Sequence, residues 1–366
     1  MDTVRHRSYS DHRDDYSSRV ANSRWCVVDR APAKRLLAAV AVVSISASAL
    51  LLALWPTFSV VVIAKILHAI ATALLIPTLV AISLGLVGYA SFSERLGRNA
   101  RFLSFGNAVA AGLMGIIAYY FSNQAIFLFT AALGVPTLIS LALINASEID
   151  PELARGGLPK GQAGKRFEAK FTLMRNRVLL VFAGAVVLFQ FGNAAMLPIL
   201  AGVLAKQIPD TAALVLSICI LVPQLAVVAI APWVGAKAQS WGRRPLLVLT
   251  FLALLTRALI FAVTSDPYLV IAAQVLDGMS AASLGVLVPL IIADVTRGSG
   301  HFNFAQGLIG AAVGIGASLS TGIAGYVADI SGPAIVFFSL CGVAVAGVVF
   351  VIALVPETRT DVTNTC

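Results

Sequence analysis

Ten long apolar stretches constrain this chain more than any other feature. Each is at least 20 residues long, about the length an α-helix needs to cross a bilayer. Long continuous runs favour helices over the short alternating strands of a membrane β-barrel. Only 12% of the residues are charged, against about 25% in a soluble protein. The sequence therefore predicts an all-α membrane protein. The predicted spans are residues 36–55, 58–86, 102–121, 124–146, 178–204, 212–233, 245–264, 267–292, 305–327 and 332–355.

Positive charges predict which way these helices cross the membrane. Lys65 and Arg257 lie within predicted spans; of the other 24 Lys and Arg residues, 23 fall in alternate loops and the two tails, with Lys206 as the exception. Basic loops stay on the cytoplasmic side. We therefore expect a multi-pass protein of the cell membrane with both termini in the cytoplasm. Orientation explains the net charge of +9, and we expect no nucleic-acid partner.

The two parts of the chain repeat one another. Residues 34–37 align with 244–247 at an offset of 210, and residues 64–69 align with 273–278 at an offset of 209. Two predicted helices precede the aligned loop in the second part and none in the first. The simplest interpretation is a twelve-helix arrangement that lacks its first two helices. The remaining helices then form one bundle of four and one bundle of six. The predicted parts are a polar tail (1–34), an incomplete four-helix bundle (35–146), a cytoplasmic linker (147–177), a six-helix bundle (178–356) and a tail (357–366).

A motif rich in glycine and arginine lies between two of the apolar stretches. It reads GAKAQSWGRRPLLVL over residues 235–249, and a weaker copy precedes the first span. The motif resembles the signature Gly-x-x-x-Asp-Arg-x-Gly-Arg-Arg/Lys of the major facilitator superfamily, with Gln239 in place of the Asp. The Pro-Glu-Thr-Arg sequence at 356–359 is similar to a common ending of that family. The resemblance implies two bundles around a central cavity, with solute bound near the membrane midplane and alternating access by rocking.

We expect the motif to form a gating loop. Arginine side chains can bond the carbonyl groups exposed at helix ends and a partner carboxylate, and such a contact must break when the bundles rock. The alternative is that these arginines only fix the orientation of the chain. The predicted members are Gly235, Gly242, Arg243 and Arg244, with Asp29, Arg30 and Lys34 from the first copy.

Ionisable side chains inside the predicted spans mark a candidate cavity, because such groups are costly in a membrane and face a cavity or a partner. Lys65 and His68 lie one turn apart, and Gln274 and Asp277 take the equivalent places in the repeat. If the repeats pack about a pseudo-twofold axis, the two faces look at one another. The cations would then bind an anionic group or carry a coupling proton opposite Asp277. The alternative is a structural polar cluster that holds the bundles together.

Gln190 and Asn193 add amide groups to the candidate cavity. They lie three residues apart in one span, and Pro198 predicts a helix break close by, an arrangement that suits a segment lining a solute site. Hydrogen bonding between helices is the alternative. Arg257 lies within a span and needs a partner that the sequence does not identify.

These features predict secondary active transport of a small solute, coupled to protons, by a monomer in the lipid bilayer. The chain has no phosphate-binding Gly-x-x-x-x-Gly-Lys-Ser/Thr loop and no set of His, Cys and carboxylates with metal-ligand spacing. We therefore expect no enzyme, no cofactor and no metal. Efflux of drugs or metabolites and uptake of sugars or organic acids both stay open, as does a truncated membrane remnant or scaffold that transports nothing.

Overall fold

The computed structural model describes residues 34–157 and 175–359, and the regular structure within them is helical. Asp29 and Arg30 of the predicted gating loop, residues 158–174 of the predicted linker and residues 360–366 lie outside this part. The helices are α1 (Lys34–Leu54), α2 (58–87) and α3 (89–120) within the run Phe58–Tyr120, α4 (Asn123–Ala132), α5 (Gly134–Ala142), α6 (Arg177–Asn193), α7 (Met196–Gln207), α8 (Ala212–Ser240), α9 (Arg243–Val263), α10 (Pro267–Thr296), α11 (Phe302–Ser331) and α12 (Pro333–Leu354).

The longest helical run turns back on itself at Gly88. Gly88 has a φ of 65°, in the left-handed region that glycine tolerates. Across this corner the Asn99 amide donates to the Ser83 hydroxyl at 2.9 Å, although the 16 intervening steps of a straight helix would span about 24 Å. Nine runs in the described residues are long and apolar enough to cross a membrane. Because one of them is two helices, the expected ten spans are present.

Residues 89–101 are helical, whereas the sequence predicted a loop between the spans 58–86 and 102–121. They form the first turns of α3. Glu94 and Arg98 make an ion pair at 3.1 Å on the exposed side of these turns, and pairs four residues apart stabilise a helix in water. The helix therefore begins before the apolar segment does.

The span Arg177–Gln207 is broken between α6 and α7. Pro198 lies in the first turn of α7, where a missing N–H costs least. At the break, the Ala195 amide donates to the Ser320 hydroxyl of α11 at 3.1 Å, so a backbone group freed inside the membrane has a partner. The break places Asn193 at the end of α6.

We call residues 34–157 the first half and residues 175–359 the second half. They approach most closely where α3 crosses α8. A Cβ atom on Gly97 or on Gly235 would lie 2.6 Å from a backbone carbonyl oxygen of the opposite helix. The sequence predicted that Gly235 lies in the gating loop, and this prediction is wrong. Gly235 lies inside α8 because the apolar pattern of that helix continues to Ser240.

The repeat is also visible in the corners between helices. Gly298, between α10 and α11, has a φ of 80° and stands 210 residues after Gly88. The main apolar core is formed mostly by the second half and includes Leu84, Phe92 and Leu96 from the first. The two halves therefore share a core at the end of the molecule where these corners lie.

Candidate functional site

A charged pair lies inside the helices of the second half. Arg257 of α9 is 3% exposed, and its Nη1 donates to Oδ1 of Asp277 on α10. The same Nη1 donates to Oδ1 of Asn193, at the end of α6, at 2.7 Å. The guanidinium carbon lies 5.3 Å from the centre of the Phe261 ring. One guanidinium thus links three helices, and its charge is compensated within its own half.

Polar atoms without hydrogen-bond partners lie beside this pair. Among the described residues, Nε of Arg257 and both amide atoms of Gln274 are buried and make no hydrogen bond of normal geometry. Cys219 of α8 lies close to both side chains, but a thiol is a weak donor and acceptor. Each unsatisfied buried group costs about 1–3 kcal/mol. We call Asn193, Cys219, Arg257, Gln274 and Asp277 the polar cluster.

Asp277 is the accessible member of the charged pair. Its side chain is 24% exposed, against 3% for Arg257. A proton or a solute therefore reaches the carboxylate before it reaches the guanidinium. The polar cluster therefore combines one accessible carboxylate with buried donor and acceptor atoms that a polar ligand would satisfy.

Gln190 lies one turn before Asn193 in α6 and is partly buried. Its Cβ packs against α11, where a Cβ added to Gly316 would lie 2.9 Å away. The hydrogen bonds to Arg257 come from Asn193 and Asp277 instead. Gln190 is thus a neighbour of the polar cluster along the helix, and its contact with a solute stays a prediction.

Lys65 and His68 do not join the polar cluster. Both are exposed on α2, and among the described side chains no salt bridge links either of them to Asp277. The expected pairing of these cations with Asp277 is therefore not what the structure shows. Asp277 takes its cation from Arg257 because α9 lies directly against α10 in the same half. A place for Lys65 and His68 in a solute cavity stays a prediction.

Arg243 forms a second network, at the end of the molecule where most basic residues lie; we call this the basic end. Its Nε donates to Oδ2 of Asp294 on α10 at 2.9 Å, and its Nη1 donates to the Ala238 carbonyl at 2.8 Å. The side chains of Arg243 and Asp294 are only 4% and 10% exposed. As expected from the sequence, this arginine bonds both a helix-end carbonyl and a carboxylate.

The segment that follows α12 binds to the same network. Glu357 accepts hydrogen bonds from the backbone N–H groups of Arg243 at 2.8 Å and Arg244 at 3.1 Å. Its carboxylate therefore caps the N-terminus of α9, where unpaired N–H groups favour a negative charge. Gly242 has a φ of 92°, and a Cβ there would collide with the Glu357 carboxylate. The Pro-Glu-Thr ending is visible in the sequence, but the binding of Glu357 to the start of α9 is not.

Among the described residues, the hydrogen-bond partners of Arg243 and Arg244 all belong to the second half. Arg244 donates from Nη2 to the Ile352 carbonyl, and the Thr358 hydroxyl donates to Asp294 at 3.2 Å. Rocking of one half against the other leaves contacts within a half intact. The gating role of Arg243, Arg244 and Lys34 therefore stays a prediction. Lys34 is buried at the start of α1.

Contacts between the halves at the basic end involve residues 150–157. This segment is fixed to the corner between α2 and α3 on one side. The Asp150 amide donates to the Gly85 carbonyl at 3.0 Å, and the Tyr89 hydroxyl donates to the Gly157 carbonyl at 3.3 Å. The start of the predicted linker is therefore an ordered part of the first half.

On its other side the segment meets the corner between α10 and α11. The Gly298 amide donates to the Gly156 carbonyl at 2.6 Å. Gly156 has a φ of 84°, and a Cβ there would lie 2.9 Å from Cβ of Phe302. The guanidinium carbon of Arg297 lies 4.8 Å from the centre of the Tyr89 ring, a cation–π contact across the halves. We call residues 150–157 and these two corners the basic junction.

The molecule has two helical bundles with repeat-related corners, an ion pair within the spans and charges at one end. These features define a multi-pass membrane protein of the transporter class. The sequence pattern of the Major Facilitator Superfamily matches residues 24–256 and 182–365. The chain belongs to this family of membrane transporters, whose members are in general not enzymes.

Proteins of similar sequence agree with this assignment. An uncharacterized MFS-type transporter of Mycobacterium tuberculosis is 36% identical over 338 residues, which cover 91% of this chain and 80% of the relative. The class C tetracycline resistance protein of Escherichia coli is 30% identical over 145 residues, or 38% of this chain and 35% of that protein.

Solved structures share the fold at low sequence identity. The human organic anion transporter MFSD10 (TETRAN) has a TM-score of 0.64 and 13% identity, over 87% of this chain and 77% of that one. The proton:xylose symporter XylE, bound to 6-bromo-6-deoxy-D-glucose, also has a TM-score of 0.64, with 14% identity over 89% of this chain and 81% of that one. These likenesses establish the fold.

Proposed function

We propose that this chain is a proton-coupled secondary transporter that carries a small solute across the cell membrane by alternating access. The observation that carries the proposal is the Arg257–Asp277 pair, which lies within the spans and has one accessible carboxylate. Ionisable groups at such depth are costly and mark ion or substrate pathways. A proton on Asp277 removes the charge that compensates Arg257. Protonation therefore changes how α6, α9 and α10 are held together.

The basic junction is the proposed gate on the cytoplasmic side. Its backbone hydrogen bonds and the Arg297–Tyr89 contact join the two halves, so access from that side requires them to separate. The crossing of Gly97 and Gly235 lies beside it and brings two backbones together. We assign this end to the cytoplasm because its loops carry the basic residues. The chain is proposed to act as a monomer.

Two directions of transport are supported by different observations. Similarity to a tetracycline resistance protein over 38% of the chain supports removal of a drug from the cell. The fold shared with a proton:xylose symporter supports uptake together with protons. A membrane scaffold that moves nothing is the alternative that an experiment must exclude.

The test is solute flux by the purified full chain in liposomes with an imposed pH gradient. The solute panel includes tetracycline, xylose and sets of organic acids and amines. We expect gradient-driven flux of at least one solute, and we expect Asp277→Asn to abolish its dependence on the gradient. Asp210→Asn is the matched control, because Asp210 is exposed between α7 and α8. Absence of gradient-driven flux across the whole panel would overturn the proposal.

Topology has a separate test. Reporter fusions at residues 122, 208 and 265 should report the outer face, because the loops there carry one Lys or Arg in total. A fusion within 150–157 should report the cytoplasm. A cytoplasmic signal at any of the first three sites would contradict the proposed orientation.

A further inference from the structure

We infer that the solute is an organic carboxylate that binds Arg257 and Gln274 while a proton occupies Asp277. This inference rests on the proposed transport function and specifies its substrate class and stoichiometry. It follows from the charge balance of the polar cluster, the free edge of one guanidinium and the buried amide of Gln274.

Charge balance inside the polar cluster limits what it can bind. Arg257 is 3% exposed, so leaving it without a counter-charge is strongly unfavourable. A cationic solute bound to Asp277 would leave Arg257 without a counter-charge, because it would pair with the carboxylate that now compensates Arg257. A carboxylate bound to Arg257, with a proton transferred from water to Asp277, leaves every buried charge compensated. The cluster therefore selects an anion together with a proton.

Arg257 has a donor edge available for such an anion. Its Nη1 is occupied by Asn193 and Asp277, whereas its Nε is buried without a partner. A guanidinium binds a carboxylate through two parallel N–H groups, and its Nε side presents such a pair. A solute carboxylate can therefore bind Arg257 on this side, with a proton on Asp277, without displacing Asn193.

Gln274 extends this edge. The residue is only 1% exposed, and the Cys219 thiol, a weak hydrogen-bonding group, lies beside its amide and beside Arg257. The amide N–H groups can donate to a second solute oxygen, and the amide oxygen can accept from a solute hydroxyl. A carboxylate that also carries a hydroxyl group satisfies both.

Among the described residues, the surroundings of α10 supply no competing carboxylate at the depth of Asp277. α6 contributes the neutral Asn193, and α3 carries no titratable residue between Arg101 and Ile117. Asp329 of α11 lies in the last turn of its helix. Away from the basic end, the described ionisable side chains on the helices around α10, together with those of α2, are Tyr120, Cys219, Arg257, Tyr326, Asp329, Lys65 and His68.

Simultaneous binding fixes the direction of coupling. The carboxylate and the proton occupy the site together, so both cross in the same direction with one proton for each carboxyl group. The only covalent change is reversible transfer of a proton between water and Asp277. An inward proton gradient therefore drives uptake of the anion.

The experiment uses the full chain in liposomes that contain a pH-sensitive dye, with the outside made acidic. Solutes are supplied in matched sets that differ only in one group, namely hydroxycarboxylates such as gluconate, their carboxamides and their primary amines. We expect flux within the carboxylate set, with one proton entering for each molecule. Flux of amides or amines without carboxylates would overturn this inference and leave the transporter proposal intact. No flux in any of these sets would overturn this inference, and the transporter proposal falls as well only if tetracycline and xylose are also not moved.

Variants separate binding from folding. Gln274→Leu removes the buried amide, so we expect it to reduce carboxylate uptake at least about 10-fold while the melting temperature stays equal or rises. Arg257→Lys keeps the charge but loses the two-donor edge and should reduce uptake similarly. Asp210→Asn is the control. Uptake by Gln274→Leu within about twofold of the parent would contradict the proposed site.

Discussion

The faces of α2 and α10 that the repeat equates have opposite surroundings. Gln274 and Asp277 lie 209 residues after Lys65 and His68. On α10, Gln274 is 1% exposed and Asp277 is bound to Arg257, whereas on α2 both cations are exposed. Equivalent positions in a repeat therefore do not have equivalent environments.

The difference arises because another helix covers the face of α10 and the face of α2 is exposed. α8 covers α10 so closely that a Cβ on Gly278 would lie 2.6 Å from the Pro223 carbonyl oxygen. The equivalent residue on α2, Ala69, is exposed. A polar group covered by another helix needs a partner, and one in contact with water or headgroups does not. The comparison favours the covered face as the place of the proposed coupling chemistry.

The largest expected effect is at the charged pair. Arg257→Gln or Asp277→Asn alone leaves one buried charge uncompensated, which typically costs about 3–5 kcal/mol. The double variant should recover much of this loss, because it leaves neither charge. Thermal unfolding of the four forms in detergent measures the coupling. Strictly additive losses would mean that the two side chains do not depend on each other.

The second prediction uses matched positions of the repeat. Gly278→Leu forces a side chain into the contact between α8 and α10 and should destabilise the protein by about 1–3 kcal/mol or more. Ala69→Leu adds the same side chain to the exposed face of α2 and should change stability by less than about 0.5 kcal/mol. Equal effects of the two substitutions would break the comparison between the faces.

A smaller effect is expected at the basic end of the second half. Glu357→Ala removes the acceptor for two N–H groups of α9 and should cost about 1 kcal/mol, the usual value of a helix cap. Glu357→Gln keeps an acceptor oxygen and should lose less. Melting temperatures of both variants give the measurement. A full loss in the Gln variant would point to charge, and not to hydrogen bonding, as the source of the stabilisation.

The smallest change in stability is expected on α2. Lys65→Gln and His68→Gln should each alter it by less than about 0.5 kcal/mol, because both side chains are exposed and unpaired with Asp277. If the two residues line the solute cavity, uptake will fall in these variants without a change in melting temperature. A stability loss comparable to that of Arg257→Gln would show that this face is covered in the membrane.

The membrane fold was largely predictable, because apolar length decides which segments cross a bilayer. The ten spans followed from that rule alone. The helical start of α3 did not, since the charges of Glu94 and Arg98 resemble a loop in sequence although they pair along a helix. Gly235 was placed in a loop for a similar reason: a glycine at a close helix crossing cannot be distinguished from a glycine at a turn without its neighbours.

The candidate site was predictable only in part. Ionisable residues within spans identified Asp277 and Arg257 separately, but their pairing depends on how α9 lies against α10. The basic junction left no sequence pattern, because backbone carbonyls of Gly156 and Gly157 make its contacts and any residue has such groups. Local rules identify which residues are unusual, and tertiary packing decides which of them meet.

The corner at Gly88 has a consequence for how the protein enters the membrane during synthesis. Residues 58–120 form one helical run of 63 residues, with two apolar segments on either side of charged turns, and as a straight rod it would measure about 95 Å, roughly three bilayer thicknesses. A reversal at one glycine lets the two arms insert as a hairpin. Arg95, Arg98 and Arg101 then never cross the lipid. The reversal at Gly88 therefore returns the second arm to the side of the bilayer from which the first arm started.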